Sequence, residues 1–103
     1  MNIGYFQFLP KFLKVKNNLA KIEELLEKNK GKIKDLDLLV FPEYFLSGPI
    51  KMNFIKDYEK EISLEEIKQN FCKISKKYPW LTFVMGSVLL KIDKNYFNTA
   101  LVY

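Results

Sequence analysis

Glu43 is the residue of this chain best placed to do chemistry. It closes the run Asp35-Leu36-Asp37-Leu38-Leu39-Val40-Phe41-Pro42-Glu43, where an apolar segment stops at a proline and a carboxylate follows at once. Proline fixes its own φ and restricts the residue before it, so the direction of the chain into Glu43 is set. If the apolar run is a strand, the carboxylate stands at the strand's carboxyl end, where α/β folds usually hold their ligands. A fixed glutamate there can act as a general base toward a nucleophile opposite it. The chain offers few candidates for that nucleophile. There is one cysteine, Cys72, and no histidine. All 17 basic residues are lysines. The commonest general base and metal ligand is therefore missing, as is the forked guanidinium that grips phosphates and guanine edges.

The elements that must position Glu43 can be read from the pattern. Residues 2–8 (Ile3, Tyr5, Phe6, Phe8) read as a strand stopped by Pro10. Lys11 to Lys16 form a connector. A helix is expected from Asn17 or Asn18, as N-cap, to about Asn29, with Leu19, Ile22, Leu25 and Leu26 on one face and Gly31 as its stop. Leu36 to Phe41 is a second strand, apolar enough for burial on both faces. Residues 44–61 read as irregular, with Ser47-Gly48-Pro49 as a breaker cluster. A second helix opens on a capping box, Ser63 with Glu66, and a staple, Ile62 with Ile67; it carries Leu64, Ile67, Phe71, Ile74 and Tyr78 inward and ends at Pro79. Leu81 to Leu90, interrupted by Gly86, is a third strand. After a turn over 92–95, Tyr96 to Tyr103 is a fourth. Strand, helix, strand is the unit that builds a parallel sheet, so the class is α/β in one domain over residues 1–103. Two helices are few for so apolar a sheet, and one sheet face is expected to need material from elsewhere.

Composition bounds the function. With 49% hydrophobic and 16% aromatic residues, the chain can build a core. No apolar run approaches the roughly 20 residues that cross a bilayer. The first residues lack the layout of a signal peptide, and one cysteine cannot form an internal disulfide, so a cytoplasmic location is expected. The net charge of +5 comes with no arginine and a general richness in Lys and Asn. Lys28, Lys30, Lys32 and Lys34 read as a solvated helix terminus whose dipole favours cations, not as a nucleic-acid patch.

Five motifs in order point to a family. Gln7-Phe8-x-Pro10 closes the first strand, and Asn18-Leu19-x-x-Ile22 opens the first helix. Asp37 to Glu43 is followed by Leu46-Ser47-Gly48. Val84-x-Gly86-Ser87 lies in the third strand, and Tyr96-Phe97-Asn98-Thr99-Ala100 starts the fourth. Together they resemble the amino-terminal part of the carbon–nitrogen hydrolase (nitrilase) superfamily. The resemblance implies part of an α-β-β-α sandwich and a Glu–Lys–Cys triad acting on amides or nitriles. In that triad a thiolate attacks the carbon, the glutamate is the general base, and the lysine steadies the tetrahedral intermediate. Glu43 matches the general base. Tyr44 and Phe45 are candidates for lining a substrate pocket, and Asn98 is read as structural. No metal or organic cofactor is implied.

The family's lysine follows the Asn-Thr-Ala strand and its cysteine comes much later, so residues 1–103 hold neither. Lys91 and Lys94 precede that strand and read as solvated turn residues. Cys72 sits off the apolar stripe of its helix and matches no motif. The expectation is therefore a chain inactive by itself, toward which a small-molecule amide or nitrile comes only when other sequence completes the site. The alternative is a non-catalytic interaction module that pairs its uncovered sheet with a second copy or a complementing chain. No nucleic-acid or membrane partner is expected.

Overall fold

A computed structural model describes residues 1–103. Four strands form one sheet in the order β1-β2-β3-β4: β1 (Ile3–Tyr5), β2 (Leu38–Val40), β3 (Thr82–Ile92) and β4 (Asn95–Val102). The first three run parallel, and β4 returns antiparallel to β3. The helices are α1 (Val15–Lys28), α2 (Lys30–Ile33), α3 (Ile55–Glu61) and α4 (Leu64–Lys77). None is long and apolar enough to cross a membrane. The expected class, an α/β unit with a parallel sheet, is the one observed.

Alternation along the strands separates two faces. Leu39, Phe83, Met85, Val88 and Leu90 are buried in a core with Leu19, Ile22 and Leu26 of α1 and Ile67, Phe71 and Ile74 of α4. The opposite face carries Ile3, Tyr5, Leu38, Val40, Thr82, Val84 and Val102, in register across the four strands. Nothing covers it: Ile3, Tyr5 and Val102 are 60–65% exposed. Burial of β2 on both faces does not hold, because Leu38 and Val40 lie on this open side and are only partly buried.

Several elements differ from expectation for identifiable reasons. The first strand is three residues long; Phe6 adds one further bond, to the Val40 carbonyl, and the chain then leaves the sheet. Helix α1 begins at Val15, with Lys14 at the cap position making no side-chain bond, and Asn18 lies inside its first turn. The amide of Asn18 serves tertiary contacts instead of a cap. Gly31 does not stop α1 but sits in α2; the end is marked by Asn29, whose side-chain amide donates to the Leu25 carbonyl at 2.8 Å. The stretch 44–61 is not irregular throughout, since α3 forms over one inward pair, Ile55 and Tyr58. The start of α4 matches expectation: Ser63 Oγ accepts from the Glu66 N–H at 3.1 Å, and Ile62 and Ile67 are both buried.

Candidate active site

The site is built on the departure of the chain from β2. Phe41, the first residue past β2, donates from its N–H to the Val84 carbonyl at 2.9 Å. Glu43 then makes an isolated parallel bridge to Ser87. Tyr44 turns the chain sharply with φ of +51°, a conformation that costs a bulky residue of order 1 kcal/mol or more. Hydrogen bonds hold it there. Tyr44 N–H donates to Ser87 Oγ at 3.2 Å, and the Tyr44 carbonyl accepts from Gly48 N–H at 2.8 Å. Phe41 and Phe45, either side of the elbow, are 2% and 1% exposed with ring centroids 5.2 Å apart. The elbow is thus anchored on both flanks, and Glu43 between them is exposed.

Strand β3 is shaped to receive this elbow. Between the pairs Met85–Leu101 and Val88–Thr99 it advances three residues while β4 advances two, so one extra residue forms a bulge at Gly86–Ser87. The glycine is obligatory. Its φ is +29°, and a Cβ there would stand 2.0 Å from the Pro42 carbonyl oxygen and 2.9 Å from that of Phe41. A glycine interrupting an apolar strand is the sequence signal of such a close approach.

Across the bulge, Asn98 of β4 completes the constellation. It shares the open face with Ala100 and Val102 by alternation, and its Nδ2 donates to Glu43 Oε1 at 2.7 Å. Asn98, read from the sequence as structural, therefore contacts the carboxylate directly.

The segment after Glu43 is clamped from the other side. Asn18, 2% exposed, donates from Nδ2 to the carbonyls of Leu46 (2.7 Å) and Lys11 (2.9 Å) and accepts at Oδ1 from Lys11 N–H. Leu13 N–H adds a bond to the Ser47 carbonyl.

None of the other candidates offers its side chain to Glu43 as a hydrogen-bond partner. Phe45 lies in the core, stacked on Phe71 at 5.7 Å, and offers a ligand no surface; Tyr44 is partly exposed. Lys91 is in β3 rather than a turn and is not simply solvated. It pairs with Glu59 of α3 at 3.2 Å and lies over the Tyr96 ring, while Tyr96 donates its hydroxyl to the same carboxylate. The hydrogen bonds from Tyr96 and Lys91 lower the Glu59 pKa, and the partnership with Glu59 raises that of Lys91. Cys72 is exposed on α4, the helix packed against the other face of the sheet. None of the cavities is lined by Glu43; the largest, about 590 Å³, lies between Gln7–Lys11 and α1. The carboxylate stands on an open surface, not in a closed pocket.

With this geometry established, comparison with known proteins gives a consistent answer. No family model matches the chain. It is 31% identical over 91 residues to the protein N-terminal amidase of Schizosaccharomyces pombe, an alignment covering 82% of this chain and 31% of the amidase. It superposes on the crystal structure of Saccharomyces cerevisiae Nit3, a member of branch 10 of the nitrilase superfamily. That match has a TM-score of 0.76 at 22% identity and covers 94% of this chain and 37% of Nit3. The fold is thus the α/β fold found in part of a nitrilase-type protein. The chain is similar to part of an amidase in sequence and to part of a nitrilase-superfamily protein in fold, and it spans about a third of the length of the relatives it matches.

Proposed function

We propose that residues 1–103 supply the general base of a carbon–nitrogen hydrolase acting on amides or related non-peptide C–N bonds. Glu43 takes the proton of a cysteine thiol, and later that of the attacking water. The cysteine and the lysine come from sequence outside these residues, on the same polypeptide or on a complementing chain. The observation that carries the reading is the elbow: a carboxylate at a strand end, held by a positive-φ residue and a bulge, and facing the open side of the sheet. The amidase relative supports an amide as the scissile group.

Two of three catalytic groups are absent from these residues, and removing even one member of such a unit typically loses orders of magnitude. The purified chain is therefore inactive toward amides and nitriles. In a protein that completes the site, Glu43→Gln abolishes turnover and leaves the fold intact. Robust turnover by residues 1–103 alone, lost in Glu43→Gln, would sink this reading.

The open face favours a second reading, a non-catalytic module that pairs its sheet with a second copy. Its apolar row Tyr5, Val40, Val84 and Val102 carries no charge and is self-complementary in character. Native mass spectrometry separates the two. A homodimer lost in Val84→Lys supports the pairing module, and a stable, cooperatively melting monomer counts against it.

A further inference from the structure

Asn98 has no place in the triad, yet it is the side chain that touches the Glu43 carboxylate. We infer that Asn98 is a positioning residue that fixes which carboxylate oxygen of Glu43 serves as the base. The inference rests on the general-base reading of Glu43 and adds to it a second residue and a division of labour between the two oxygens.

A glutamate carboxylate sits at the end of two methylenes and samples several staggered rotamers when nothing holds it. A base needs one lone pair aimed at the proton it takes. Asn98 has one methylene and stands in the middle of β4, paired with Leu89 of β3, so its amide is a short donor on a stiff support. At 2.7 Å from Oε1 the contact lies in the range of charge-assisted hydrogen bonds. With Oε1 occupied, Oε2 is the oxygen left free to accept a proton. A neutral amide suits this role better than a lysine would, because it orients the carboxylate without cancelling its charge.

The contact is made between non-adjacent strands, from the end of β2 over β3 to β4. Strand β3 carries its bulge between them, with Gly86 bringing no side chain into the gap. The bulge therefore has two consequences: it seats the elbow and leaves a path for the amide of Asn98.

The test has two arms. In residues 1–103, side-chain couplings measured by NMR report the rotamers of Glu43. The wild type shows one dominant rotamer, and Asn98→Leu shows averaging with the melting temperature preserved, since Asn98 is exposed. A Glu43 side chain that stays in one rotamer in Asn98→Leu would overturn the inference. In a turnover-competent protein that carries these residues, Asn98→Leu lowers kcat by about 10- to 100-fold with KM little changed, the scale of a small misplacement of a reacting group. In a Glu43→Asp background, which keeps a carboxylate but draws it one methylene back from Asn98, the same substitution has no further effect on the residual kcat, because it acts through the contact with Glu43. Additive losses would overturn the positioning role. Full turnover in Glu43→Gln refutes the general-base reading itself, and is told apart because the rotamer result in the first arm is unaffected.

Discussion

Gly86→Ala is the sharpest perturbation of the scaffold that carries Glu43. The added Cβ would lie 2.0 Å from the Pro42 carbonyl oxygen, and both near neighbours are backbone atoms that cannot rotate aside. Reaching a tolerable contact means separating β3 from residues 41–42 by about 1 Å. A displacement of that size breaks the Phe41 N–H to Val84 bond and the Tyr44 N–H to Ser87 bond, which together hold the elbow. Overpacking costs roughly 1–3 kcal/mol, and a left-handed backbone roughly 1–2 kcal/mol more for a residue with a Cβ. The sum is roughly 2–5 kcal/mol, against a total stability of about 5–15 kcal/mol for a domain. At about 4–8 °C per kcal/mol, the melting temperature followed by circular dichroism falls by about 10 °C or more. Gly31→Ala is the control. Its Cβ meets nothing within 4 Å and it lies in α2, so it raises stability by about 0.5–1 kcal/mol. If Gly86→Ala melts with the wild type while Gly31→Ala behaves as expected, β3 does not sit against Pro42, and the account of the elbow is wrong.

Two further substitutions test other parts of the frame. Asn18→Ala leaves the buried Leu46 carbonyl without its partner and Lys11 N–H without Oδ1, while the Lys11 carbonyl keeps Lys14 N–H; the buried carbonyl alone costs about 1–3 kcal/mol, and urea unfolding should show a lower midpoint at unchanged slope. Tyr58 is buried with its hydroxyl donating to the Leu89 carbonyl at 2.8 Å, and burial pushes its phenol up to about 12. Its contribution is complete below the unfolded value of 10.0 and is lost as pH rises from 10 toward 12, by about 2–3 kcal/mol over the two units. Stability measured across that range should fall less steeply in Tyr58→Phe than in the wild type; parallel curves would refute the assignment.

What could be read from the sequence was local. Helix α4 announces itself because Ser63, Glu66 and the inward apolar positions agree with one another. The end of β2 is legible because Pro42 closes an apolar run. Helix α3 was not legible: seven residues hold one inward pair, Ile55 and Tyr58, too few to establish a period. Asn18 misled because an asparagine near a helix start fits a cap, whereas this one is spent on Leu46, 28 residues away. The hydrogen bond from Asn98 to Glu43 joins residues 55 apart, and no local pattern encodes it. The motif containing Asn98 was visible, but its purpose required the β3 bulge and the register of β4.

The open face brings the stability problem and the chemistry problem together. Ile3, Tyr5 and Val102 are exposed there, and burying apolar area contributes about 25 cal/mol per Å². Asn98 and Glu43 reach the same side, where water weakens their hydrogen bond and competes for the free carboxylate oxygen. In a medium of lower dielectric the same contact strengthens, and a poorly covered charge becomes costly unless it is paired. A layer laid over this face would thus stabilise the sheet and tighten the grip on the carboxylate in one step. If Glu43 is the general base proposed above, its nucleophile would approach from that side, because the elbow's flanks, Phe41 and Phe45, are sunk in the core on the other. Cys72, on α4, is on the helical side of the sheet, and Lys91 is engaged with Glu59. Under the proposed function, a completing sequence would cover the apolar row and present its thiol to the free oxygen of Glu43 from the same layer.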